Sequence, residues 1–347
     1  MTVRHLPPEW APQRATLLVW PRAGGDWGSG LEPAREAIAA MAHAVARFQP
    51  VVLVAPDDES IADIQARRGA DRLPHERLRV CKIPANDIWA RDTGPITVVD
   101  HGRRCFIDFR FDGWGGKFYA AGDDALTAAL YAAGALGAGA LERSETILEG
   151  GSIETNGADT ILTTERCLLG DNRNPDFDRA RAEATLAESL GAEHILWLAR
   201  GNLIGDDTDG HIDTLARFVA ADTIVHQGCD DPADAHHAEL TAMAGELAAL
   251  RDRDGQPYKL LELPLPAPQY DPDDGHRLPA GYANFLIANG CVLVPAFNDP
   301  ADRIAAQIIG HCFPDRELIP IDSRALIRQH GGLHCAAMQI PAEPSHD

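Results

Sequence analysis

Short apolar runs recur along the whole chain and alternate with longer segments in which apolar residues return every three or four positions. The runs LLVW, VVLVA, ITVV, CFIDFRF, TILTT, CLLG, HILWL, TLARFVA, TIVH, FLIANGCVLVP and CAAMQI have the length and the β-branched or aromatic character of strands. Between them, Ala-rich amphipathic stretches predict helices: Glu32 to Phe48, DDALTAALYAAGAL, RARAEATLAESLG, and Ala235 to Asp252. Many short strands interleaved with helices predict an α/β fold.

Several polar, acid-rich turns each run directly into an apolar strand: IWARDTGPITVV, LEGGSIETNG, DDTDGHIDTLARFV, YANFLIANGCVLVP and HGGLHCAAMQIP. Their key residues, Asp92, Glu149, His211, Asn284 and Cys335, lie roughly 50 to 75 residues apart, a spacing that points to repeated units around an axis with five polar tips at one centre. No low-complexity segment or linker divides the chain, so residues 1–347 are read as a single domain. The Pro-rich stretch Leu263 to Asn284 is expected to be a long surface or active-site loop.

Composition narrows the function. With 52 acidic against 31 basic side chains the formal charge is −21, which disfavours nucleic acid and anionic membranes as partners and favours a small cation. Three prolines and three charged residues precede the first apolar run, and no run approaches the roughly 18 residues of a membrane span, so cytoplasmic residence is expected. The seven cysteines are scattered and lack CxxC pairing, which indicates neither a disulfide framework nor a zinc ribbon.

The polar tips carry the residue types that guanidinium chemistry needs. A guanidinium carbon is a poor electrophile, because its charge is spread over three nitrogens. Hydrolysing it takes a soft nucleophile, a proton donor for departing ammonia, and carboxylates that hold the cation in plane. Cys335 follows two glycines at a strand entrance, where a nucleophile could sit. His211 and Asp213 form a His-x-Asp that in a strand would project both side chains to one face. A catalytic zinc would need about three ligands, and no HExxH or similar spacing appears. WARDTGP offers Trp89, to cover an alkyl chain or a cation, beside Asp92, and LEGG offers Glu149, to orient His211.

Assembled, these stretches resemble the agmatine deiminase and bacterial peptidylarginine deiminase family. The likeness runs over essentially the whole chain, through PPEWAPQRATLLVWP, DIWARDTGP, FRFDGWGGK, LEGGSIETNG, CLLGDNRNP, GDDTDGHIDTLARF, YANFLIANGCVLVP and GGLHC. The resemblance implies a five-bladed α/β propeller, the pentein fold, built from pseudo-fivefold ββαβ units. It also implies Cys335 as nucleophile, His211 as general acid and base, Asp92 and Asp213 as holders of the guanidinium, Glu149 in support, and Trp89 along the substrate channel. Two positions depart from the family pattern: Glu154 stands where a His is common, and Gly-Leu-His-Cys replaces an Asn-containing approach to the cysteine.

The implied reaction is hydrolysis of agmatine to N-carbamoylputrescine and ammonia, with no cofactor and no metal, by a homodimer or higher homo-oligomer. Free or peptidyl arginine is the alternative substrate, and amidino transfer or a non-enzymatic propeller-type binding role lies further off. Asp206, Asp207 and Trp114 are candidates for recognising a distal ammonium, and Arg91 or Arg217 for a distal carboxylate.

Overall fold

The computed structural model describes residues 4–343. Sixteen strands form five sheets: β16(Ala337–Pro341)-β1(Gln13–Val19)-β2(Val51–Ala55)-β3(Leu78–Lys82); β4(Ile96–Asp100)-β5(Arg103–Arg110)-β6(Ala140–Ile147); β7(Ile153–Thr155)-β8(Thr160–Thr164)-β9(His194–Leu198); β10(Ala216–Ala220)-β11(Thr223–Gln227)-β12(Lys259–Leu263); and β13(Leu286–Ala288)-β14(Cys291–Ala296)-β15(Glu317–Asp322). Each has one plan. A leading strand pairs antiparallel with the next, and a helical crossover returns the chain to a parallel third strand. These are the ββαβ units and the pentein-type α/β architecture that the resemblance implies.

The first sheet differs in two ways. It adds β3, parallel to β2, after a further helix, Asp58–Gly69, whose start is capped by Asp57 accepting from the Ser60 N–H at 2.7 Å. Its leading strand is β16, the last strand among the described residues, so the ring closes by pairing β16 with β1. Leading strands are short and almost wholly buried, whereas the outer strands β3, β6, β12 and β15 alternate between half-buried and exposed. Crossover helices cover the sheets through apolar faces such as Ala34, Ile38, Met41 and Val45 of the helix Leu31–Ala46.

Two local readings need correction. CLLG is not a strand: Glu165–Leu168 is a helical turn, capped by Thr164 Oγ1, which accepts from the Cys167 N–H at 3.4 Å. His211 and Asp213 lie ahead of β10, on a 3₁₀ turn at Ile212–Thr214, so a turn and not strand alternation sets their side chains. Loop 264–283 is long and irregular as expected, and it reaches the functional site through Asp271 and Asp273. No helix among the described residues is long and apolar enough to cross a membrane.

Leu17 of β1 is fully buried, faces Met338 of β16 and Val52 of β2 in register, and packs beneath Gly94, two residues past Asp92. Leu17→Ala is expected to lower the free energy of unfolding by about 3 kcal/mol. Urea denaturation measures this, and an unchanged midpoint would contradict closure by β16 as the packing described here.

Candidate active site

The leading strand of each sheet is preceded by a turn, and the five turns meet. Asp92 sits on the helical turn Ala90–Thr93, Glu149 precedes the 3₁₀ turn Gly150–Ser152, His211 and Asp213 bracket Ile212, and Asn284 and Cys335 each stand two residues ahead of their strand. All six are buried.

Asn284 ties two of the turns together. Its Oδ1 accepts from the backbone N–H groups of His334, at 2.9 Å, and Cys335, at 3.2 Å. Its Nδ2 donates to Cys335 Sγ at 3.1 Å and to the Asp213 carbonyl at 3.3 Å. Cys335 Sγ lies 3.4 Å from Asp213 Oδ2. Across the centre, Asp92 accepts from Trp114 Nε1 at 2.9 Å and from the Gly151 N–H at 3.0 Å, while His211 Nδ1 is 3.6 Å from Asp92 Oδ1.

Glycine makes this convergence possible. A Cβ on Gly151 would lie 2.6 Å from His211 Nδ1, 2.9 Å from Asp92 Oδ1 and 3.1 Å from Asp213 Oδ2, so three site groups face one point that only a missing side chain leaves free. At the cysteine turn, a Cβ on Gly331 would meet the Trp89 ring at 2.2 Å and one on Gly332 would meet Asn284 Oδ1 at 2.5 Å.

Electrostatics sort the ionisable groups. Burial, then Asp213 and Asp92, push the Cys335 thiol well above its ordinary pKa. Burial works against the His211 cation, but Asp92, Cys167 and Glu149 outweigh it and hold His211 well above the usual imidazole range. Asp92 rises to about 6, chiefly through burial, against the pull of His211. Asp213 feels the same burial, but its hydrogen bond and charge contact with His334 hold it below the usual carboxylate range. The resting site therefore pairs a neutral thiol with an imidazolium.

Above Cys335 opens a cavity of about 220 Å³, lined by Trp89, Asp92, Trp114, Phe118 and Asp207, with Asp26, Asp87, Arg328 and His330 also on its wall. Trp89 and Asp207 thus line the cavity. Trp114 does too, and in addition orients Asp92. Asp206 does not line the cavity: its carboxylate accepts from the Thr208 hydroxyl at 2.5 Å and the Gly210 N–H at 2.7 Å, which closes its own turn. Arg91 and Arg217 do not face the cavity either, because both are buried against Glu9, at 3.0 and 2.6 Å, and Arg217 also pairs with Glu154. The unexpected Glu154 is therefore a partner for a buried arginine.

Glu149 accepts from Arg173 Nε at 2.7 Å, while its other oxygen, like both ring nitrogens of His211, has no hydrogen-bond partner among the described residues. With Cys167 these groups form a potential three-ligand set that no sequence spacing announced, and Glu9, Glu154 and His334 form another. Arginine stands on a carboxylate of each set, Arg173 on Glu149 and Arg217 on both Glu9 and Glu154, and so opposes a second cation there. Sequence reasoning passed over Glu9, Arg173, Cys167 and His334. PPEW and the His-Cys pair were visible, but only the fold brings Glu9 and His334 together.

Five like sheets around a buried thiol, histidine and acids define the guanidino-group-modifying class of α/β enzymes. Residues 5–341 match the model of the Porphyromonas-type peptidyl-arginine deiminase family, and the chain belongs to that family. It is 35% identical to the agmatine deiminase of Pseudomonas fluorescens (strain SBW25), with 97% of this chain and 95% of that one aligned. Among solved structures it is similar to a Porphyromonas gingivalis protein proposed to be an arginine deiminase, at 45% identity and TM-score 0.90, covering 98% of this chain and 99% of that one. It is also similar to a cysteine-to-serine variant of C. jejuni agmatine deiminase with substrate bound, at 35% identity and TM-score 0.89, covering 97% and 96%.

Gly151→Ala is expected to leave the protein folded and to lower turnover of its guanidino substrate by about 100-fold, since the added methyl takes the point on which His211, Asp92 and Asp213 converge. Circular dichroism and a turnover assay check both halves. Activity near wild type would show that no substrate atom needs that space.

Proposed function

We propose that this chain hydrolyses agmatine to N-carbamoylputrescine and ammonia, with Cys335 as nucleophile and His211 as acid and base. The observation that carries the reading is the meeting of His211 Nδ1, Asp92 Oδ1 and Asp213 Oδ2 around the backbone of Gly151, with Cys335 Sγ 3.4 Å from Asp213 Oδ2. Two carboxylates are there to grip a planar cation, and a thiol stands beside one of them.

Binding supplies the activation. A guanidinium placed between Asp92 and Asp213 brings positive charge to the thiol and lowers its proton affinity, and the thiol gives its proton to solvent through the open cavity, from which the departing ammonia later takes one up. The thiolate attacks the guanidinium carbon, and His211, resting as imidazolium, gives its proton to the nitrogen that leaves as ammonia. Neutral His211 then takes a proton from water as the water oxygen bonds to the thiouronium carbon. The C–S bond breaks, the hydroxyl proton of the adduct passes to the departing sulfur, and the ureido product leaves with the thiol restored. Glu149 stands next to His211 and supports its charge.

Agmatine is favoured over arginine by the cavity wall. Asp26, Asp87 and Asp207 offer charge for a distal ammonium. The arginine on the wall, Arg328, is engaged by Asp271 at 3.1 Å and Asp273 at 2.6 Å, and so is not free for a substrate carboxylate. A cavity of about 220 Å³ is also small beside the roughly 300–1,000 Å³ of drug-sized sites, which suits a slender ligand better than a peptide segment. The same reading takes residues 1–347 as one catalytic domain, since the first and last described strands share a sheet, and the cytoplasm as its place of work.

Cys335→Ser is expected to abolish ureido product. Agmatine is expected to exceed free arginine in kcat/KM at least about tenfold, and Asp207→Asn to narrow that gap. A colour test for ureido groups measures all three. Arginine as the better substrate would leave the deiminase chemistry standing and remove agmatine, while transfer of the amidino group to an added amine would make the chain an amidinotransferase.

In the free enzyme, alkylation of Cys335 by iodoacetamide is expected to be slow at neutral pH and to accelerate only above the usual thiol range, because burial, Asp213 and Asp92 all favour the protonated thiol. Mass spectrometry of the labelled peptide across a pH series checks this. Rapid labelling at neutral pH would show a thiolate already present before substrate arrives.

A further inference from the structure

The cysteine turn holds a second histidine that the reaction above does not use. His334 is buried, and both of its ring nitrogens meet carboxylate oxygens: Nδ1 lies 2.8 Å from Asp213 Oδ2 and Nε2 lies 2.7 Å from Glu9 Oε1. A neutral imidazole has one N–H and one lone pair. It would satisfy one contact and set its lone pair against a carboxylate oxygen at the other, in an interior that does not screen the repulsion. An imidazolium donates to both.

The other groups packed around His334 pull in both directions. Burial, Arg217 and Arg91 lower its proton affinity, and Glu9 and Asp213 raise it, with the balance downward. Both arginines are already committed to Glu9, at 2.6 and 3.0 Å, and Arg217 to Glu154 as well. Two short contacts to two carboxylates need two protons, and that requirement outweighs the downward balance. Asp213 and Glu9 are both held below the usual carboxylate range, so neither supplies the missing proton.

We propose that His334 stays protonated and acts as a positioning residue for the nucleophile: through Nδ1 it fixes Asp213 and offsets the charge of the same carboxylate oxygen that lies 3.4 Å from Cys335 Sγ. The proposal rests on Cys335 being the nucleophile. Removing the cation would leave Asp213 an uncompensated anion beside the thiol, so the thiolate becomes harder to form.

The full chain labelled with ¹⁵N-histidine tests the protonation directly. Its His334 signals are assigned by their loss in His334→Gln or, should that variant not fold, by their shift in Glu9→Gln. Both ring nitrogens are expected to carry hydrogen at about pH 7.5, above the ordinary imidazole pKa. One unprotonated nitrogen there overturns the proposal. In folded His334→Gln, the pH midpoint for alkylation of Cys335 by iodoacetamide is expected to rise by about one unit, a tenfold loss of thiolate at a given pH. The fall in kcat for agmatine should exceed any change in KM, and an unmoved midpoint overturns the positioning role. Absence of ureido product from a wild type whose His334 is doubly protonated would instead sink the deiminase reading and leave the imidazolium standing.

Discussion

Buried carboxylates must be matched by cations or by several hydrogen-bond donors, and the centre of this protein is built around that requirement. Glu9, Asp92, Glu149, Glu154 and Asp213 are all buried there, and Arg91, Arg173, Arg217, His211 and His334 are buried with them. Arg173 serves Glu149, Arg217 and Arg91 serve Glu9, Arg217 reaches Glu154, and His334 serves Asp213. Asp92 is the exception. It has two neutral donors and a histidine 3.6 Å away, and its pKa climbs to about 6. Asp92 faces the cavity with no arginine of its own, and an incoming guanidinium supplies the missing cation. Binding and structural electrostatics are thus one problem.

The same requirement divides the arginines by function. Those that could have offered a docking point for a substrate carboxylate are used in the scaffold, Arg91 and Arg217 below the site and Arg328 on its wall. The charges left over on the cavity wall are acidic, and the proposed preference for agmatine rests on them.

Much of this was legible in the sequence. The turns that precede leading strands carry Asp92, Glu149, His211, Asn284 and Cys335 at long, regular intervals, and some of those strands, such as β4 and β13, are buried enough to show as apolar runs. The outer strands β3, β6, β12 and β15 escaped notice, because one side meets solvent and the sequence there, as in ALERSETI, reads as polar. The helix Ala301–Cys312 escaped as well. Within the site, residues on the strand-leading turns could be found by position, but Arg173 lies on the loop after Leu168 and Glu9 ahead of β1, and only the tertiary fold gives them partners. Asp206 and Asp207 are adjacent and alike on paper, and hydrogen bonding inside one turn separates them.

Pairing of β16 with β1 also has a bearing on how the centre is assembled. The strand that closes the ring is distant in sequence from the strand it pairs with, and the thiol two residues ahead of it comes into place with that long-range contact. Contacts of such separation are slow to form, and β1 keeps a vacant edge until this one is made. Detaching β16 would carry the sulfur away from Asp92, Asp213 and His211 while the other four turns stay on their own sheets. Ring integrity and the presence of the nucleophile are therefore a single event.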